Sequence, residues 1–329
     1  MEAIFEALPG LEVPVGGIGR SLARMWAEEA AGGRPAPEAE DAKATQVNFV
    51  LHLGFNTDAA DAARQFATVL RFAQRYPCRV VVLCPRALDA GGPPLRAKVY
   101  GECFLGRTRA DKRCVEFVML SYDRRARAQL EDQVSICLST DLPLYYWAHR
   151  FADSGRLADY RFLLSQAKRV ILDSAESPAD AMRYPWPNPA AIRDLAYCRL
   201  LPVRQSVGQF LAAYAPAALT EGLHGVEVVH GPAWRAEGEV LAKWMGERLM
   251  ACGWVAAAGA VALASRAAAG VDLGVRVLYK SGAKEFAWSG DLAAGQAHFW
   301  ADFGLGRTEL TTGLALLAPE MALSEAMFF

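Results

Sequence analysis

Val47, Phe49, Leu51 and Leu53 are apolar at every second position, the period of a strand with one face buried. Asn56, Thr57 and Asp58 then offer oxygens for a helix N-cap, and Ala62, Phe66, Val69, Leu70 and Ala73 follow helical spacing until Pro77 stops the run. From Arg79 to Cys84 the chain is apolar after its first residue, which suits a strand covered on both faces. Strand, helix and strand at this spacing predict a crossover unit. Lys98 to Leu105 and Arg113 to Tyr122 read as two further strands joined by a segment too short for a helix, hence an antiparallel hairpin turning about Thr108 and Arg109. A helix on Leu130, Val134, Cys137 and Leu138, a strand at Leu142 to Trp147, a helix from Leu157 to Gln166 and a buried strand at Arg169 to Leu172 complete a mixed sheet with helices over it.

The run from Pro185 to Pro189 breaks the chain, and Val207, Phe210, Leu211 and Tyr214 mark the stripe of another helix, ended by Pro216. A second alternation begins at Val226. It comprises a strand to Val229, a helix carrying Val240, Leu241, Trp244, Met245 and Leu249, and strands around Val261, Val275 to Tyr279 and Glu285 to Trp288. The expected fold class is therefore α/β. An arm and linker at 1–45 precede a larger N-terminal domain with a mixed sheet and flanking helices at 46–219, and a smaller C-terminal α/β domain occupies 220–329. The arm holds a turn at Gly16-Gly17-Ile18-Gly19 and an amphipathic run around Leu22, Met25 and Trp26.

Composition narrows the partners. With 329 residues, 53% hydrophobic and 22% charged, the chain has the makings of a packed fold. Lys plus Arg number 35 against 36 for Asp plus Glu, so no global field favours nucleic acid or an anionic membrane, and neither is expected as a partner. Seven cysteines in a long chain without dense spacing are expected to be mainly reduced, in a cytoplasm. Glu2, Glu6 and Pro9 interrupt what an export signal would need. The apolar stretch Leu249 to Ala264, closed by Arg248 and Arg266, falls short of the ~20 residues that span a bilayer.

Catalytic signatures are missing from the sequence. The histidines at 52, 149, 224, 230 and 298 do not pair at helical zinc spacing, the cysteines form no C-x-x-C, and neither a G-x-S-x-G elbow nor a Walker motif occurs. No catalytic, cofactor or metal residue is assigned on these grounds. Two chemical candidates remain. His149-Arg150 and Asp173-Ser174 come directly after predicted strands; on parallel strands they would share the edge where open α/β sheets bind ligands, which could hold a phosphorylated metabolite, although Asp173 and Ser174 could equally cap the next turn. In the predicted hairpin Cys103 and Cys114 fall opposite one another, with Cβ atoms ~4.5 to 5.5 Å apart. Two apolar thiols packed in a core are the expected state there, and a redox pair is the alternative.

Several segments stand out in order along the chain: Asn48 in the first strand, Tyr76-Pro77-Cys78-Arg79-Val80, Cys103, Cys114-Val115-Glu116, Asp141 to Trp147, Ala167 to Ser174, and Asp194 to Arg204. Together they resemble the glucose-6-phosphate dehydrogenase assembly protein family, OpcA. Tyr76 stands where that family usually has His, and Ala148, Tyr197 and Val203 stand where Trp is common. The resemblance covers roughly 45–215 and extends to Glu239 through Trp254. It implies a non-catalytic protein, without cofactor, that binds glucose-6-phosphate dehydrogenase, promotes its oligomeric assembly and raises its activity at the start of the oxidative pentose phosphate pathway. The partner-binding residues it points to are Arg79, Asp141, Trp147, Asp173, Ser174, Asp194, Arg199 and Arg204. A small-molecule enzyme at the His149 and Asp173 edge and a thiol redox sensor at Cys103 and Cys114 stay open beside it. For Arg199 and Arg204 the competing account is internal pairing with Asp194.

Overall fold

A computed structural model describes residues 4–37, 47–87, 91–105, 112–255, 263–268, 270, 272–280 and 282–329. The chain forms two compact units, one of residues 1–195 with 319–329, the other of 196–318.

The first unit is built on a mixed eight-stranded sheet. Its strands are β1 (Leu11–Val13), β2 (Val47–Leu53), β3 (Cys78–Pro85), β4 (Leu95–Leu105), β5 (Lys112–Tyr122), β6 (Leu144–His149), β7 (Ala167–Leu172) and β8 (Ile192–Asp194). They lie in the order β1-β4-β5-β3-β2-β6-β7-β8. Strands β5, β3, β2, β6, β7 and β8 run parallel, while β4 is antiparallel to β5 and to β1. The predicted hairpin is present, and its tip at Thr108 and Arg109 lies outside the described residues.

Strand β2 departs from its alternating pattern, because every one of its residues is buried. It sits mid-sheet, where both faces are covered. Val50 joins a core with Leu130, Val134 and Leu163, whereas Phe49 on the other face lies near Phe72, ring centroids 6.0 Å apart. Phe72 belongs to the helix Ala59–Ala73, whose N-cap Asp58 accepts the Asp61 N–H as the sequence suggests. The helix expected from Leu157 to Gln166 is two short ones, Ser154–Ala158 and Arg161–Gln166. Tyr160 breaks it by leaving helical geometry, and its hydroxyl reaches the Tyr122 hydroxyl at 2.5 Å.

The arm docks on this unit. Strand β1 pairs with β4, Lys98 Nζ donates to the Phe5 and Leu8 carbonyls at 2.7 and 3.2 Å, and Trp26 of the helix Ile18–Ala31 donates to Glu116 at 2.8 Å. A helix not visible in the apolar pattern, Pro319–Phe328, also packs here: Ser324 Oγ donates to the Tyr76 hydroxyl at 3.0 Å, and the Phe328 ring lies 4.7 Å from that of Tyr76. Tyr76 therefore has a packing role in this chain.

The second unit holds a six-stranded sheet in the order β10-β9-β11-β12-β13-β14. These are β9 (Leu223–His230), β10 (Leu263–Ala267), β11 (Leu273–Tyr279), β12 (Glu285–Asp291), β13 (Gln296–Asp302) and β14 (Thr308–Gly313). Strand β10 is parallel to β9, joined through the helix Arg235–Ala251, and the others are antiparallel. The expected strand position Val261 lies outside the described residues. The sequence sets a boundary near 220, yet the helix Leu201–Leu211 packs with the strands of the second sheet: Val203, Val207 and Leu211 share a core with Val226, Val228, Trp288 and Phe299. Among the described residues, no helix is long and apolar enough to cross a membrane.

Candidate functional site

Strand order places the first site to inspect. The chain leaves β2 toward β3 on one side and β6 lies on the other, so the C-terminal ends of β2 and β6 form the switch point where open α/β sheets bind ligands. The two ends approach tightly there. Gly54 N donates to the His149 carbonyl at 2.7 Å, and a Cβ on Gly54 would lie 2.2 Å from the Arg150 carbonyl oxygen, so only glycine fits. Arg150 itself takes a left-handed φ of 47°.

That backbone geometry gathers four side chains. His149 Nε2 and Asp61 Oδ2 are 2.7 Å apart, both residues being buried, and His149 Nδ1 lies 3.4 Å from Glu176 Oε2. Arg150 donates to Glu176 Oε1 at 2.7 Å and its Nε is 3.3 Å from Asp61 Oδ2. Burial alone would raise the Asp61 pKa, but hydrogen bonds to His149 and Gln65 and the charge of Arg150 outweigh it and hold the carboxyl below its ordinary value. The Glu176 hydrogen bond raises the Arg150 pKa. Both imidazole nitrogens face carboxylates. The arrangement locks the strand ends together. Sequence reading found His149 and Arg150 through their strand end but missed Asp61 and Glu176. Asp61, in the first turn of a helix that comes after a strand, was the available signal for the first; nothing local marked Glu176.

A second buried polar group lies within the fold. His52 contacts the Tyr146 hydroxyl through Nδ1 and the Tyr122 hydroxyl through Nε2, the latter at 2.9 Å, and Tyr122 continues to Tyr160. Burial depresses the His52 pKa to about 3, so the ring is neutral and offers one donor and one acceptor to its tyrosines.

Within the first unit, the residues proposed for partner binding lie at opposite ends of the sheet. Arg79 at the start of β3 donates to Glu116 at 2.7 and 3.0 Å, so two residues of the family-like motifs pair with each other. Buried Asn48 holds the loop before β6 by donating to the Ser139 and Leu142 carbonyls at 2.7 and 3.1 Å and accepting from Ser139 N at 3.0 Å. Asp141, exposed on that loop, accepts from Ser139 Oγ at 2.7 Å. Those residues mark the end of the sheet where the parallel strands begin. Asp173, Ser174 and Asp194 mark the opposite end, after β7 and β8: Asp194 accepts from Ser174 N, and Asp173 accepts from Ala175 N, each at 3.0 Å. Trp147 is buried beside His149, ring centroids 5.5 Å apart.

Arg199 and Arg204 belong to the second unit. Arg199 Nε donates to Glu237 Oε1 at 2.6 Å, and buried Arg204 stacks over the Tyr197 ring at 3.6 Å. Cys103 and Cys114, opposite in the β4–β5 ladder as expected, are joined as a disulfide and half-buried, in place of the two packed thiols that the sequence favoured. The reason is position. The β3 ladder stops at Glu116, so the hairpin runs on toward its tip beyond that neighbour. Cys78, Cys84, Cys137 and Cys198 are buried and lie outside this disulfide. A groove of about 620 Å³ lined by Phe162, Tyr184, Pro185 and Pro187 contains none of the residues singled out. Among the described residues no cluster of His, Cys, Asp or Glu could hold a metal ion.

The stretch from the last turns of Ala59–Ala73 through β7 to Tyr184 carries most of these motifs. Residues 70–184 match the family described as glucose-6-phosphate dehydrogenase subunit N-terminal domain, the OpcA assembly family. This segment is similar to the OpcA family. The chain is also similar to a putative OxPP cycle protein OpcA of Synechocystis sp. (strain ATCC 27184 / PCC 6803 / Kazusa), with 27% identity over 136 residues. That match covers 40% of this chain and 28% of the relative's length. The OpcA resemblance read from the ordered motifs is thus borne out over this segment.

Proposed function

We propose that this OpcA-family chain binds glucose-6-phosphate dehydrogenase, promotes its oligomeric assembly and raises its activity without catalysing a reaction of its own. The family match over residues 70–184 carries this reading. The closed His149, Asp61, Arg150 and Glu176 cluster supports its non-catalytic half, since the switch-point crevice is filled by the protein's own ion pairs. Our reading puts the contact at the end of the first sheet that bears Arg79 and Asp141. Ile136, 77% exposed, lies in the helix leading into the Asp141 loop, and an apolar residue beside directed charges suits a protein interface.

Mixing this protein with the dehydrogenase of the same cell, and measuring particle size and activity together, tests the function. Larger particles with higher activity are expected, and no change in either removes the reading. Asp141→Arg should abolish the gain at an unchanged melting temperature. Full activation by that variant would move the contact elsewhere.

A further inference from the structure

Edge strands expose backbone N–H and C=O groups, and proteins blunt them with short strands, Lys, Pro or bulges. The first sheet ends on β1 and β8, of three residues each. Strand β14 has no Lys, Pro or bulge, and its single charge, Glu309, is paired with Arg307. It runs for six residues, Thr308-Glu309-Leu310-Thr311-Thr312-Gly313, and pairs with β13 without a register shift. No described strand pairs with its other side. Its residues are exposed apart from half-buried Thr312, and Leu310 shows 47% of its surface.

The ladder fixes which groups face outward. Leu314 N donates to the Gly295 carbonyl at 2.8 Å, so the even-numbered residues of β14 direct their backbone toward β13 and Glu309, Thr311 and Gly313 direct theirs away. We propose that two copies of this chain join edge to edge through β14, antiparallel about a two-fold axis at Leu310. In that register Glu309 of each copy exchanges both backbone hydrogen bonds with Thr311 of the other, and Leu310 meets its counterpart in a non-hydrogen-bonded pair.

Self-complementarity selects a second copy as the occupant. One face of the joined strands sets Thr308 opposite Thr312 and Leu310 opposite Leu310; the other sets Glu309 opposite Thr311 and Arg307 opposite Gly313. Such pairs are favourable or neutral, and no like charges are opposed. Arg307, just before the strand, already pairs with Glu309 at 2.7 Å, so the edge carries no net charge to repel a copy. Moving the axis to residue 309 would set Glu309 against itself, and moving it to 311 would set Leu310 against Thr312. The edge is short against a standard interface of about 1,600 Å², so association is expected at roughly micromolar concentration.

Sedimentation of the whole chain from about 1 to about 100 μM should show monomer passing to dimer. Leu310→Glu, which opposes two carboxylates on the axis, should weaken dimerisation at least about tenfold at an unchanged melting temperature. On a Cys252→Ser background, Leu310→Cys should form an interchain disulfide on mild oxidation, because non-hydrogen-bonded pairs bring Cα atoms to about 4.5 Å. Thr308→Cys should cross-link to Thr312→Cys in a mixture and not to itself. Monomer at every concentration overturns the proposal. So does a dimer that survives Leu310→Glu, or self-cross-linking of Thr308→Cys equal to that of Leu310→Cys.

Discussion

Replacing Arg199 by alanine separates a charge held for the fold from one held for a partner. Its guanidinium, 19% exposed, donates to Glu237, whose side chain is only 3% exposed in the first turn of Arg235–Ala251. Glu237 Oε2 is buried with no hydrogen-bond partner among the described residues, so the carboxylate depends heavily on Arg199. Removing one member of a buried pair and leaving the other costs about 3–5 kcal/mol. For a unit of this size that lowers the melting temperature by about 10–15 °C. A charge exposed for recognition would instead give a binding loss of ~2 kcal/mol at an unchanged melting temperature, the outcome that the sequence favours for Arg199 or Arg204. Arg199→Met with Glu237→Leu should restore most of the loss, because apolar replacements remove the buried charge altogether. Urea unfolding monitored by tryptophan fluorescence, run beside the dehydrogenase activation assay, reads both effects. A single-variant cost below about 1 kcal/mol, or a double variant no more stable than Arg199→Ala, would refute the reasoning.

Gly54→Ala should lower stability by about 3 kcal/mol or more, since its methyl would meet the backbone of Arg150 and Phe151 and neither can turn aside; an unchanged urea midpoint would contradict this. Asp61 has a folded pKa below its unfolded value of about 4, so its contribution is present above that pH and is lost as the pH falls through the folded value. The stability gap between wild type and Asp61→Asn should therefore be wider at pH 7 than at pH 3, and equal gaps would show that ionisation of Asp61 is not the cause. Denatured without reductant, five of the seven cysteines should accept a thiol label, and all seven after reduction; seven labels without reductant would rule out the Cys103 to Cys114 bond.

Strand and helix positions in the first unit were legible because burial imposes a period on the chain: Val47 to Leu53, Ala62 to Ala73 and the β4–β5 hairpin lie where their apolar spacing puts them. The OpcA motifs were legible too, since Asn48, Arg79 and Glu116 keep their order whatever they touch. Tertiary structure alone decided what those residues do. Arg79 meets Glu116 because β3 and β5 are neighbours although separated in sequence by β4, and sequence spacing does not encode that adjacency. Asp61 and Glu176 come to His149 from a helix and a loop far apart in the chain, so no local pattern could announce the cluster. Strand β14 and the helix Pro319–Phe328 escaped the apolar pattern for related reasons. Strand β14 is exposed on both faces and has no buried side to leave a period, and the helix is apolar nearly all round, so its docking on Ala59–Ala73 and Tyr76 depends on partners that the local sequence does not name.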